Sequence, residues 1–148
     1  MSARDYSHLV GHRFPGGTYT FPEYVNWLWE DAVLSEHDGG LAHPSLGYYI
    51  AMAGLGVSIG EVMALLEGTP ESGVMFGENE LEFHGSLRAG ATYECEGEIT
   101  AVERKTGKRA GVFDKLTFRI QVGEPGASVP SVVCTNTWIF PRKEAGDG

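Results

Sequence analysis

Cysteine, basic charge and uncharged runs are all scarce in this sequence, and each scarcity removes a class of protein. Cys95 and Cys134 are the only cysteines. They are too few for a disulfide framework and lack the spacing of a zinc site. Both are expected to be buried thiols in a reducing compartment. Eleven Lys and Arg stand against twenty Asp and Glu, a net charge of −9. That balance excludes a nucleic acid or an anionic membrane as partner. The deficit is uneven: residues 1–87 carry two basic and twelve acidic side chains, residues 88–148 nine and eight. A phosphate-bearing ligand is therefore expected at the C-terminal half. The glycine pairs Gly16-Gly17 and Gly39-Gly40 lack the lysine of a phosphate loop, and His, Cys and carboxylates do not cluster. No metal and no cofactor is expected. The start of the chain has no continuous apolar stretch of the secretory kind, so a cytoplasmic protein is expected.

One apolar run is long enough to imitate a membrane span. Pro44–Leu66 holds 23 residues with Glu61 as its only charge. Four glycines, two serines and two tyrosines interrupt it, which suits a buried helix of a soluble domain better than a span. Glycines cost such a helix about 1 kcal/mol each, a cost that close approach to a sheet offsets. With 148 residues and 42% apolar composition, one domain over residues 10–142 is expected, with tails at 1–9 and 143–148.

The remaining elements follow from spacing. Residues 16–20 are a short β-prone stretch. Phe21-Pro22-Glu23 opens an amphipathic helix whose apolar positions Tyr24, Leu28 and Val33 predict a packed face, with Trp27 and Trp29 beside them. Thr20 and Glu23 have the form of a capping box. Four strands are expected after the long helix. They cover 75–83, a stretch in which Tyr93, Cys95, Gly97 and Ile99 alternate with Glu94, Glu96, Glu98 and Thr100, a second alternation of Leu116, Phe118, Ile120 and Val122, and 132–140. Lys105-Thr106-Gly107-Lys108 is the expected hairpin turn. Clean alternation gives each strand one buried and one wet face, as in an antiparallel sheet. The fold class is α+β: one antiparallel sheet wrapped around one long central helix, a hot dog.

The ordered set Val10–Phe21, Leu41-Ala42-His43-Pro44-Ser45-Leu46, and Glu82–Tyr93 with its Arg88-Ala89-Gly90-Ala91-Thr92 run resembles the MaoC-like hydratases and dehydratases. The resemblance covers residues 11–142. It implies addition or removal of water across the α,β carbons of an acyl thioester carried on CoA or acyl carrier protein. It also implies a homodimer or a heterodimer with another hot-dog subunit. Asp38 and His43 have the five-residue spacing of that family's catalytic pair, without its Asn-Pro, and His43 abuts the helix directly. The residues leave two readings open: a working dyad, or a histidine that orients the loop before the helix. Backbone N–H groups of Ser45, Leu46 and Gly47 at the helix start are the donors expected to meet the thioester oxygen. Two alternatives stand beside the hydratase: a non-catalytic partner subunit that shapes an acyl tunnel, and a thioesterase using Glu61. Arg88, Lys105, Lys108, Arg109 and Arg142 are either a solvated surface or the contacts for a phosphate or an acidic carrier.

Overall fold

In the computed structural model, residues 4–37 and 39–142 are described; the expected tail at 143–148 and Asp38 lie outside them. Five strands form one antiparallel sheet: β1 (Gly17–Thr20), β2 (Met75–Phe83), β3 (Thr92–Gly107), β4 (Gly111–Gly123) and β5 (Val132–Arg142), in the order β1-β3-β4-β5-β2. The central strands follow the expected alternation. Tyr93, Cys95, Gly97 and Ile99 of β3 and Leu116, Phe118, Ile120 and Val122 of β4 point into the core. The hairpin turns three residues later than expected, through Lys108–Ala110 into Gly111. Gly111 has φ +66°, so the turn sits where glycine tolerates the left-handed region. β2 is an edge strand. Met75, Phe76 and Phe83 stay exposed on it, so it lacks the covered face expected of every strand.

The apolar run does not form one helix. It splits into α2 (Leu46–Ala53) and α3 (Ile59–Leu65). The break falls at Gly54–Ser58, where Gly56 takes φ +86° and Ser58 caps α3 by accepting a hydrogen bond from the Glu61 N–H at 3.1 Å. Glu61 is exposed in the first turn of α3, not buried in a continuous rod. The two halves still fill the sheet's concave face: Leu46, Ile50, Leu55, Val62 and Leu66 are fully buried. No helix among the described residues is long and apolar enough to cross a membrane.

Gly54 is where helix and sheet come closest. A Cβ there would lie 2.2 Å from Cys95 Sγ. Cys95 and Cys134 are free and buried, as expected.

The first helix, α1 (Glu23–Ala32), inverts its expected polarity. Tyr24, Trp27, Leu28 and Val33 are exposed, while Asn26 and Glu30 are the buried residues. No capping box forms at its start. Thr20 belongs to β1 and its hydroxyl pairs with Thr92 at 2.8 Å, so Pro22 occupies the cap position.

The start of the chain is fastened by charge. Asp114, 2% exposed on β4, accepts from Arg104 Nε at 2.8 Å and Arg142 Nε at 2.8 Å. Arg142 also donates to the Leu66 carbonyl, and Arg104 to the Arg4 carbonyl. Tyr6 and Arg4 bond Glu67. Residues 4–9, expected as a tail, are therefore anchored to the sheet, and Arg142 is too committed to serve as a phosphate contact.

Candidate functional site

His43 sits three residues before α2, in a loop stitched to the segment ahead of β3. Ala42 N–H bonds the Leu87 carbonyl and Ala89 N–H the Gly40 carbonyl, each at 2.8 Å. This pairing fixes where the imidazole stands. Trp29 of α1 donates its indole N–H to Ser45 Oγ at 2.8 Å, and Ser45 Oγ lies 2.7 Å from His43 Nδ1. An indole N–H only donates, so the serine hydroxyl accepts from Trp29 and passes its own hydrogen to Nδ1. The Ser45 amide points at the same nitrogen, at 3.3 Å. With Nδ1 accepting, the ring carries its proton on Nε2, which has no hydrogen-bond partner among the described residues.

The backbone donors expected at the helix start are mostly used locally. Leu46 N–H bonds the His43 carbonyl at 2.9 Å and Gly47 N–H the Pro44 carbonyl at 3.0 Å. Pro44 and Ser45 form a turn ahead of α2, and that turn closes before any ligand arrives. The Nε2–H of His43 is the better-placed donor.

A carboxylate that the sequence did not single out completes the site. Glu30 is 2% exposed. It accepts from Asn26 Nδ2 at 2.8 Å and meets His37 Nδ1 at 2.5 Å; His37 Nε2 in turn meets Asp31 at 3.2 Å. His37, itself exposed, is thus held between two carboxylates and stacked beside Trp27. Asn26 leaves its own Oδ1 buried without a partner among the described residues, at a cost of about 1–3 kcal/mol. Glu30 shares one cavity of about 440 Å³ with His43, bordered also by Ser35, Glu36 and Phe83. It shares a second, of about 410 Å³, with His37 and Asn26.

A third hollow, again about 440 Å³, opens between α2 and the β2–β5 edge. Trp29 and Ser45 stand at one end, Phe76 and Trp138 form apolar walls, and Tyr48, Asn79 and Asn136 supply polar atoms. Burial pushes the Tyr48 hydroxyl above the usual phenol range, with the Cys134 thiol adding to the shift. Burial raises the Cys134 thiol too, against the pull of hydrogen bonds from Asn79 and Asn136.

Residues 18–129 match the family described as FAS1-like, dehydratase domain region. The chain belongs to this family. Comparison with curated protein sequences finds no match. Among solved structures, the chain is similar to a chain of the ChsH1–ChsH2 complex from Mycobacterium tuberculosis, at 14% identity and a TM-score of 0.68, over 95% of this chain and 90% of that one. It is similar to a chain of the HadBC (3R-hydroxyacyl-ACP dehydratase) complex from the same organism at 12% and 0.66, over 88% and 96%. A MaoC-like dehydratase from Rhodospirillum rubrum matches at 17% and 0.58, over 92% and 94%. These likenesses establish the hot-dog fold of a chain whose family is a dehydratase family.

Asp38, the expected partner of His43, lies outside the described residues. The pair Glu30–His37 escaped sequence reading because its acid lies on the face of α1 that the apolar pattern assigned to solvent.

Proposed function

We propose that the chain adds water to, or removes it from, the α,β carbons of an acyl thioester, alone or as one subunit of a two-subunit enzyme. One observation carries this: in a member of a dehydratase family, an imidazole with an unpaired Nε2–H and a buried carboxylate border the same cavity at the start of α2. In hydration a carboxylate takes a proton from water as the water oxygen bonds Cβ, and a protonated imidazole delivers a proton to Cα and is left neutral; the proton on the carboxylate then reloads the ring. Dehydration reverses both transfers. His43 takes the imidazole role. Two carboxylates compete for the other: Asp38 by its five-residue spacing, and Glu30 by its place in the cavity wall. The thioester group, on CoA or a carrier protein, lies against the Nε2–H side of His43.

The test is hydration of a 2-enoyl-CoA by the purified chain. His43→Ala is expected to lower kcat/KM by roughly 10²–10⁴-fold, the usual contribution of a general acid or base. Glu30→Gln falls as far and Asp38→Asn stays within about threefold if Glu30 serves; the pattern reverses if Asp38 serves. Full activity in His43→Ala would overturn the assignment.

A second reading is favoured by the surface. Tyr24, Trp27 and Leu28 on α1 and Met75, Phe76 and Phe83 on the β2 edge are exposed apolar groups, the kind of surface a partner chain covers. In this reading a second hot-dog subunit pairs along β2 and the chain contributes the acyl-binding wall. No turnover alone, with turnover restored by a dyad-bearing partner, distinguishes it. Release of free thiol from a saturated acyl-CoA would instead point to a thioesterase.

A further inference from the structure

The hollow between α2 and β5 is built like an acyl slot, yet its inner end is polar. Asn136 is 1% exposed and sits on the core-facing side of β5 between Cys134 and Trp138. Its Oδ1 accepts from Asn79 Nδ2 at 2.7 Å. Its own amide N–H₂ finds only sulfur: Cys134 Sγ at 3.5 Å and Met52 Sδ at 3.9 Å. Sulfur is a weak acceptor, so a buried donor is left largely unspent beside an empty volume. The Tyr48 hydroxyl borders the same volume and makes no hydrogen bond among the described residues. Among the described residues Asn136 has only sulfur for its N–H groups and the half-buried Tyr48 hydroxyl has no partner, so both can donate to an oxygen that enters the slot.

We propose that this pocket selects acyl chains carrying a hydrogen-bond-accepting oxygen, a ketone or hydroxyl, well beyond the reacting carbons, with Asn136 and Tyr48 as its donors. The position follows from α2. Met52, whose sulfur touches Asn136, lies seven residues after Ser45, about 10 Å along the helix axis. The recognised oxygen is therefore several bonds past the thioester and is not the hydroxyl formed by hydration. Trp138, Phe76 and Leu81 cover the intervening chain. The identity of the tail rests on the thioester reading above; the oxygen-binding pocket does not.

Two probe pairs separate these. Hydration rates are measured for trans-2-octenoyl-CoA and 7-oxo-trans-2-octenoyl-CoA, and the side-chain amide signals of Asn136 are followed by NMR on adding 2-hexanone or 1-hexene. The expected result is at least a tenfold preference in kcat/KM for the oxo substrate and a shift of the Asn136 signals with the ketone alone. Asn136→Leu should abolish the preference. Tyr48→Phe, which keeps the ring and the packing, should reduce the preference severalfold and guards against a leucine variant that fails to fold. Ketone binding without turnover of either thioester would support the pocket and overturn the thioester reading. Turnover of both thioesters at equal rates, with no ketone response, would overturn the pocket and leave that reading standing.

Discussion

Replacing Gly54 by alanine tests how the helix is seated on the sheet. Gly54 has φ −92°, a conformation alanine adopts freely, so backbone preference alone favours the substitution by about 0.4–1 kcal/mol. Packing opposes it. The new methyl would lie 2.2 Å from Cys95 Sγ and 2.7 Å from Cys95 Cβ, well inside the roughly 3.5–4.0 Å of a relaxed contact. Overpacking of this kind costs about 1–3 kcal/mol, and a shortfall of more than 1 Å on the sulfur with the neighbouring Cβ also too close places it at the upper end. A net loss of about 2 kcal/mol follows, a drop of about 1 M in the urea midpoint at a typical m-value. Cys95→Ala removes the nearer atom, so in that background Gly54→Ala should cost about 1 kcal/mol less, a coupling that independent sites do not show. Urea unfolding of the two single variants and the double variant measures each term. A Gly54→Ala chain more stable than the parent, or losses additive within about 0.4 kcal/mol, would refute the close seating.

Three further outcomes follow from the described geometry. Burial raises the Asp114 carboxyl, but hydrogen bonds and charge from Arg104 and Arg142 outweigh it and hold the group below its ordinary value. Its stabilising contribution is therefore present above the unfolded value of about 3.9 and is lost as pH falls through the lower folded value. Asp114→Asn should cost about 3 kcal/mol at neutral pH and flatten the acid limb of a stability–pH curve. Burial pushes the Cys95 thiol up to about 11, so a thiol reagent at pH 8 should modify it on the order of 10²-fold more slowly than a free cysteine until denaturant is added. Under the pairing along β2 proposed above, Phe76→Lys on the exposed edge strand should lower the mass read by light scattering coupled to size exclusion to that of a monomer; an unchanged mass would remove β2 as the seam.

Legibility in the sequence tracked how local the deciding physics was. The centres of β3 and β4 declare themselves because alternation is a local property and their buried face is apolar nearly throughout, whereas β5 is buried on both faces and β2 on neither. The break in the central helix is local too, and Ser58 with Glu61 three residues on is its signature, masked by apolar residues on both sides. The same spacing at Thr20 and Glu23 misleads, since Thr20 pairs with Thr92, 72 residues away. No local rule sees that competition. The first helix defeats pattern reading outright. Tyr24, Trp27 and Leu28 face outward while Val25 and Trp29 meet the core and the polar pair Asn26 and Glu30 is buried beside the site. Of the expected site residues, His43 and Ser45 do stand together, joined by Trp29 from a different element. Glu30 could be found only once the loop from 35 to 43 was placed over it.

Glu30 is also a partition. It borders the chamber that holds His43 and the one that holds His37, so a single carboxylate stands between two histidine compartments. Its hydrogen bonds to Asn26 and His37 keep it from swinging aside. A cation admitted to one chamber is felt in the other through that one group.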